Sequence, residues 1–145
     1  MGERLIQLTW QEKKAFVWNR RDFAPLAGFT YEGEGWGLAW DGHRLVMSDG
    51  SNRLTLRDPQ TFAILGALAV TREHVPVDFL NELEIAEGAI WANVWQRDEI
   101  VRIDPADGRV TAVVDASRLL GPEEGAHAEV LNGIAFNPVK KTFYL

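Results

Sequence analysis

Residues able to contact a small polar ligand recur at matching places along the chain. Trp36, Asn81 and Asn132 stand at equivalent positions in three segments of similar pattern. An indole offers a flat apolar wall, and a carboxamide offers both donors and an acceptor. If the three side chains converge, they would form a pocket with one flat wall and inward-facing donors. Packing of these groups against one another without a ligand is the equal alternative.

Carboxylates near these positions are the candidates for acid–base chemistry. Glu34 precedes Trp36, and Glu82 and Glu84 follow Asn81. A spacing of two places Glu82 and Glu84 on one face of a strand, opposite to Asn81 and Leu83. Because one strand face is expected to be solvated or packed against a neighbour, Glu34 and Glu82 are only weak catalytic candidates.

Composition excludes several classes of function. A net charge of −6 without a basic run argues against nucleic acid and against an anionic membrane surface. No apolar run approaches the roughly 18 residues that span a bilayer. Cysteine is absent and the three histidines lie far apart, so no metal and no cofactor is predicted. The N-terminus has no secretory signal; the compartment stays open, and a full-length form could be secreted or periplasmic.

The arrangement of these residues follows from a repeat. Leu80–Trp95 has the pattern of two strands joined by a tight turn at Glu87-Gly88, and Gly35–Gly50 is a weaker copy. Residues 42–59 align without a gap on residues 88–105, an offset of 46. Four short strands per roughly 40–50 residues is typical of a β-propeller blade. The predicted fold class is therefore all-β, a β-propeller.

The repeat also gives the organisation of the chain. We expect a blade remnant at 1–31, blades at 32–70 and 80–116, and the start of another blade at 130–145. Thr71–Phe79 is predicted to be a loop, and a helical turn is expected near Ser117–Gly121. Asp58 and Asp104, each before proline, are expected to fix turns. Because the chain starts and ends within a blade, it is expected to cover about three blades of a longer fold, incomplete at both ends.

Six ordered motifs point to a family: YEGEGWGL, MSDGS, LNELE, ANVW, RIDP and VLNGIA. In this order and spacing they resemble the plant and bacterial type of glutaminyl-peptide cyclotransferase. The resemblance implies a five-bladed propeller that converts the N-terminal glutamine of a peptide or protein to pyroglutamate and releases ammonia. The expected partner is thus a substrate with an N-terminal glutamine.

The resemblance also assigns residues. Trp36, Asn81 and Trp95 match the family's substrate pocket, with Trp10 as a looser match and Asn132 added by the repeat. The family's catalytic glutamate would lie upstream of Met1 and a lysine beyond Leu145. The catalytic residue is therefore unknown within this chain, and the chain alone is expected to be inactive.

Two other classes of function remain open. A calcium-dependent, lactonase-like propeller hydrolase could bind its ion through oxygens of Asn81, Asn132 and Glu82. A catalytically inactive propeller fragment could act as a binding scaffold. A metal pocket does not need Trp36 and Trp95, and this aromatic content favours the cyclotransferase.

Overall fold

The computed structural model describes residues 2–125 and 127–145, which form fifteen β-strands and one helical turn. An N-terminal sheet has the order β1-β2-β3. Its strands are Arg4–Leu8 (β1), Lys14–Asn19 (β2) and Pro25–Thr30 (β3). The first four-stranded sheet has the order β4-β5-β6-β7. Its strands are Leu38–Trp40 (β4), Leu45–Met47 (β5), Arg53–Arg57 (β6) and Ile64–Ala69 (β7).

A short hairpin of Thr71–Arg72 (β8) and Val75–Pro76 (β9) leads to the second four-stranded sheet, of order β10-β11-β12-β13. The strands of this sheet are Leu80–Ala86 (β10), Ala89–Val94 (β11), Glu99–Ile103 (β12) and Val110–Asp115 (β13). After the helical turn Pro122–Gly125 (α1), a C-terminal hairpin pairs Ala135–Asn137 (β14) with Thr142–Tyr144 (β15). Strands that are adjacent within these sheets pair antiparallel, so the all-β prediction is confirmed.

Apolar side chains pack the sheets against one another. One core cluster joins the two four-stranded sheets through residues such as Val46, Leu54, Leu83 and Ile90. A second cluster joins the N-terminal sheet to the first four-stranded sheet through Ala15, Tyr31, Leu45, Met47 and Phe62. As a result β4 lies beside β10, and β10 lies beside β14.

Aspartates shape the turns between the third and fourth strands of both four-stranded sheets. Asp58 Oδ1 accepts hydrogen bonds from the main-chain N–H groups of Gln60 and Thr61, both at 2.8 Å. These donors hold the pKa of Asp58 below its usual range. Asp104 accepts from the N–H of Ala106 at 2.9 Å. The prediction that both aspartates fix turns is confirmed.

The strand register corrects the gapless repeat by one residue. Leu45 pairs with Arg57 in the first four-stranded sheet, whereas Ile90 pairs with Ile103 in the second. The third strands are therefore 46 residues apart and the second strands 45. The extra residue lies between the second and third strands: Met47 pairs with Thr55, whereas its equivalent Ala92 pairs with Val101, one residue further along the chain. An alignment of letters alone did not detect this difference.

Two connecting segments also differ from expectation. The predicted loop Thr71–Phe79 contains the β8–β9 hairpin, in which Glu73 and His74 both have positive φ, 52° and 69°. The helical turn lies at Pro122–Gly125, directly after the predicted Ser117–Gly121. Within the described residues, no helix has the length and apolar character needed to cross a membrane.

Gly37 permits the close approach of β4 and β10. A Cβ atom there would overlap the main-chain oxygen of Asn81 and lie 2.8 Å from Glu82 Cα. At Gly66 in β7, in contrast, the nearest atom would be Leu56 Cδ1 at 3.9 Å.

Gly37→Ala should therefore destabilise the chain by about 1–3 kcal/mol, the usual cost of overpacking. The matched variant Gly66→Ala should be neutral or slightly stabilising, because its methyl group meets open space and reduces the freedom of the unfolded chain. Denaturant midpoints of the two variants measure the difference. Equal midpoints would contradict the close approach of the two strands.

Candidate functional site

A cavity of about 380 Å³ opens at one end of the sheets. It is lined by Trp10, Gly35, Trp36, Asn81, Trp95 and Asn132. Trp36, Asn81 and Asn132 lie just before or at the start of β4, β10 and β14, whereas Trp10 and Trp95 lie after the ends of β1 and β11. All five residues predicted as substrate contacts thus surround one space. Gly35, the sixth, belongs to the glycine-rich turn before Trp36.

Glu34 holds two of the tryptophans. Its Oε2 accepts a hydrogen bond from Trp10 Nε1 at 2.7 Å and from Trp36 Nε1 at 2.8 Å. Its Oε1 accepts from Gln11 Nε2 at 3.1 Å. The hydrogen bond from the indole N–H of Trp36 lowers the pKa of Glu34, followed by those from the indole N–H of Trp10 and the side-chain amide of Gln11. A carboxylate with a lowered pKa and three donors is a poor proton acceptor.

The ring of Trp36 is enclosed on several sides. It lies against Gly50, where a Cβ atom would be 2.6 Å from Trp36 Cζ2. Trp95 meets it edge to face, with ring centroids 5.4 Å apart and planes at 82°. Because the indole N–H of Trp36 donates to Glu34, that group is not free to bind a ligand in the cavity.

Phe79 supports Trp95 and was not identified from the sequence. The main-chain N–H of Trp95 donates to Phe79 O at 2.8 Å, and the main-chain N–H of Phe79 donates to Gly50 O at 2.7 Å. The rings of Phe79 and Trp95 are 6.1 Å apart. Phe79 has a φ of 67°, which is uncommon for a bulky residue. An aromatic residue directly before LNELE was the available signal, but it fell in a predicted loop.

Ser48 fixes the main chain of Asn81. Its Oγ donates to Asn81 O at 2.6 Å and accepts from Gly37 N at 2.8 Å. Asn81 is 7% exposed and borders the cavity. Register makes Asn93 the equivalent of Ser48 in the second four-stranded sheet. Asn93 is fully buried, and its side-chain amide has no hydrogen-bond partner among the described residues.

Glu82 and Glu84 do not border the cavity. A register shift between Leu80 and Leu83 interrupts the strict alternation expected for β10. Burial raises the pKa of Glu82, and the nearby carboxylate of Glu84 adds to this. Glu84 Oε2 accepts from the N–H of Phe136 at 3.2 Å and so connects β10 to β14. Their arrangement gives Glu84 a structural contact and leaves Glu82 half-buried.

The positions of Trp18, Trp40 and Trp91 in the sequence predict that these three residues pack between neighbouring blades. Trp91 does contact Phe143 of the C-terminal hairpin, at 4.8 Å between ring centroids. Trp18 is half-buried beside Phe16 and donates to Gln7 Oε1 at 3.0 Å. For Trp40 the expectation is wrong, since it is 46% exposed. Among the described residues, no three Asp, Glu or His side chains come together as a metal site.

Sheets packed side by side, with indoles and carboxamides around one cavity at their common end, define the class: an all-β protein with an aromatic, amide-lined pocket. The sequence model of the glutamine cyclotransferase family matches residues 1–145. The chain belongs to that family.

Individual relatives agree with this assignment. The chain is 38% identical to the glutaminyl-peptide cyclotransferase of Arabidopsis thaliana, over all of this chain and 47% of the plant protein. The crystal structure of Myxococcus xanthus glutaminyl cyclase superposes with a TM-score of 0.91 at 42% identity, over 98% of this chain and 62% of the other. The chain thus spans about half to two thirds of these relatives. Hydrazine synthase of Kuenenia stuttgartiensis, at 14% identity and a TM-score of 0.58, over 80% of this chain and 33% of the other, shares the fold alone.

Glu82→Gln tests the electrostatics of this region. Since its folded-state pKa is raised, the stability that Glu82 contributes is present below its unfolded pKa of about 4.3 and is lost as pH rises through the folded pKa. The variant should therefore be more stable than the unmodified chain at pH 7 and equal to it near pH 4. Chemical unfolding at several pH values measures this. Glu12→Gln, on an exposed turn, is the control, and a stability difference for Glu82→Gln that does not change with pH would contradict the assignment.

Proposed function

We propose that the sheets are blades of a β-propeller that has five blades in the complete protein. Residues 1–31 supply part of one blade, 32–70 and 80–116 two blades, and 130–145 the start of another. The matching strand order of the two four-stranded sheets supports this, as does the way equivalent residues meet at one end. In a propeller, innermost strands face a common axis, and a pocket on that axis receives residues from successive blades.

This chain would form the glutamine pocket of a glutaminyl-peptide cyclotransferase, which converts an N-terminal glutamine to pyroglutamate and releases ammonia. The observation that carries the proposal is the cavity itself. It combines three indoles with two carboxamides in about 380 Å³. A glutamine side chain is flexible and ends in an amide, so it needs flat walls to restrict it and polar groups to orient it. The family is named glutamine cyclotransferase, and the Arabidopsis relative is named glutaminyl-peptide cyclotransferase.

The chemistry of the reaction explains how a pocket that only binds and orients the glutamine can lower the barrier. The α-amine attacks the carbon of its own side-chain amide, a C–N bond forms within a five-membered ring, and the bond to the amide nitrogen breaks. Because attack is intramolecular, holding the folded-back conformer lowers the barrier. The side-chain N–H groups of Asn81 and Asn132 can stabilise charge that develops on the carbonyl oxygen.

Proton transfer is the remaining requirement. One proton must pass from the attacking amine to the leaving ammonia, a task that typically contributes about 10²–10⁴-fold. Among the described residues that border the cavity, none carries a carboxyl group, and Glu34 nearby already accepts three hydrogen bonds. This chain is therefore proposed to supply binding and orientation rather than the proton carrier.

Peptide binding tests the pocket directly. A peptide that begins with glutamine should bind the chain more tightly than one that begins with asparagine, whose amide is one methylene shorter. Trp95→Ala should weaken this binding by about tenfold or more, since an aromatic contact adds roughly 0.5–1.5 kcal/mol beyond its buried area. Calorimetric titration with both peptides provides the measurement.

Trp40→Ala is the matched control for that experiment, because Trp40 is exposed and lies outside the cavity. It should leave affinity unchanged. Equal affinity for the two peptides in the unmodified chain would overturn the proposed function. Binding abolished by a chelator would instead favour the calcium-dependent alternative.

Turnover gives a separate prediction. Ammonia release from a glutamine-initiated peptide should be at least about 10²-fold slower with this chain than with the Myxococcus enzyme, the factor that proton transfer is worth. A coupled ammonia assay measures both. Comparable rates would place the proton carrier within this chain, and loss of that rate in Glu82→Gln would identify it.

A further inference from the structure

The two indoles held by Glu34 come from different parts of the chain. Trp10 follows β1 of the N-terminal sheet, whereas Trp36 precedes β4 of the first four-stranded sheet. Both donate to the same atom, Oε2, at 2.7 and 2.8 Å. The two indole nitrogens therefore converge on one oxygen, and one carboxylate sets the direction of two cavity walls.

Other hydrogen bonds join the main chain near Trp10 to the segment that carries Glu34 and Trp36. The N–H of Gly35 donates to Trp10 O at 2.9 Å. The hydroxyl of Tyr31, which is 5% exposed, donates to Thr9 O. The main chains of the two segments are thus joined independently of Glu34. Loss of the carboxylate should free the two rings without separating the segments that carry them.

An indole without a partner for its N–H can rotate, and ordering it again on binding costs affinity. Immobilising one such side chain typically costs a factor of about 2–12 in affinity. Trp10 is 60% exposed, so few packing contacts hold its ring. Trp36 contacts Trp95 at 5.4 Å, so its rotation would also disturb the third wall.

We propose that Glu34 is a positioning residue of the pocket: it orients Trp10 and Trp36 through one shared oxygen and takes no part in proton transfer. The role of Glu34 in substrate binding rests on the proposed function, but its effect on the orientation of the two rings can be tested without substrate. Its role is specific to the acceptor oxygen, so an uncharged side chain with an oxygen in the same place should largely replace it.

Two replacements of Glu34 separate the possibilities. Glu34→Met keeps the length but removes the acceptor, and it should lower affinity for a glutamine-initiated peptide by about tenfold or more, as two rings are released. Glu34→Gln keeps a carbonyl oxygen with two lone pairs and should stay within about threefold of the unmodified chain. Glu32→Met, two residues away at an exposed position, is the control and should bind normally.

The NMR signals of the indole N–H groups report on orientation without any ligand. In the unmodified chain, Trp10 and Trp36 should give signals displaced from that of the exposed Trp40. Glu34→Met should shift both towards the Trp40 position, and Glu34→Gln should retain most of the displacement. This measurement remains decisive even if the unmodified chain binds no peptide, in which case the proposed function fails separately.

Several results would overturn the inference. Normal affinity and unchanged indole signals in Glu34→Met would show that the carboxylate does not orient the rings. Equal damage by Glu34→Gln and Glu34→Met would show that the charge, not the acceptor oxygen, is what matters. If Glu34→Met does not fold, the indole N–H signals of the unmodified chain still test the inference. Coincident signals of Trp10, Trp36 and Trp40 would exclude the shared hydrogen bonds.

Discussion

The close approach of β4 and β10 is the constraint on which the cavity depends. Gly37 has no side chain, so the main chain of Asn81 comes close to β4, and Ser48 Oγ then links Gly37 N to Asn81 O. The link is buried, where a hydrogen bond is costly to lose. It sets the distance between the walls formed by Trp36 and Asn81.

Much of the site was predictable because a repeat converts sequence position into spatial position. Residues at or just before the first strands of β4–β7, β10–β13 and β14–β15 meet at one end of the sheets, and for this reason Trp36, Asn81 and Asn132 could be grouped from the letters alone. Trp10 and Trp95, which follow β1 and β11, were instead assigned by the resemblance to the family. Strand identity was equally accessible, because alternation and turn residues are local signals.

The parts that could not be predicted depend on contacts between distant segments. Nothing local shows that Glu34 accepts from Trp10, which is 24 residues away. The register shift in β10 and the unequal turns between second and third strands depend on how strands pair, and similar letters can hide a one-residue difference. Arg57 is a further case: it is 6% exposed, donates to Phe62 O at 3.0 Å and lies 4.7 Å from that ring's centroid. Its equivalent in the second four-stranded sheet is the apolar Ile103.

The buried side-chain amide of Asn93 lacks the hydrogen bonds that its equivalent Ser48 makes. Ser48 joins the two four-stranded sheets by hydrogen bonds. The side-chain amide of the equivalent Asn93 is buried without a partner among the described residues, which lowers the free energy of unfolding by about 1–3 kcal/mol. The C-terminal hairpin beyond it is largely exposed, with Val139 at 91% and Tyr144 at 56%. Elements with few buried contacts, such as this hairpin, unfold locally at a lower free energy than the rest of the structure. Amide exchange should therefore be faster in the two-stranded β14–β15 hairpin than in β10, which belongs to a four-stranded sheet.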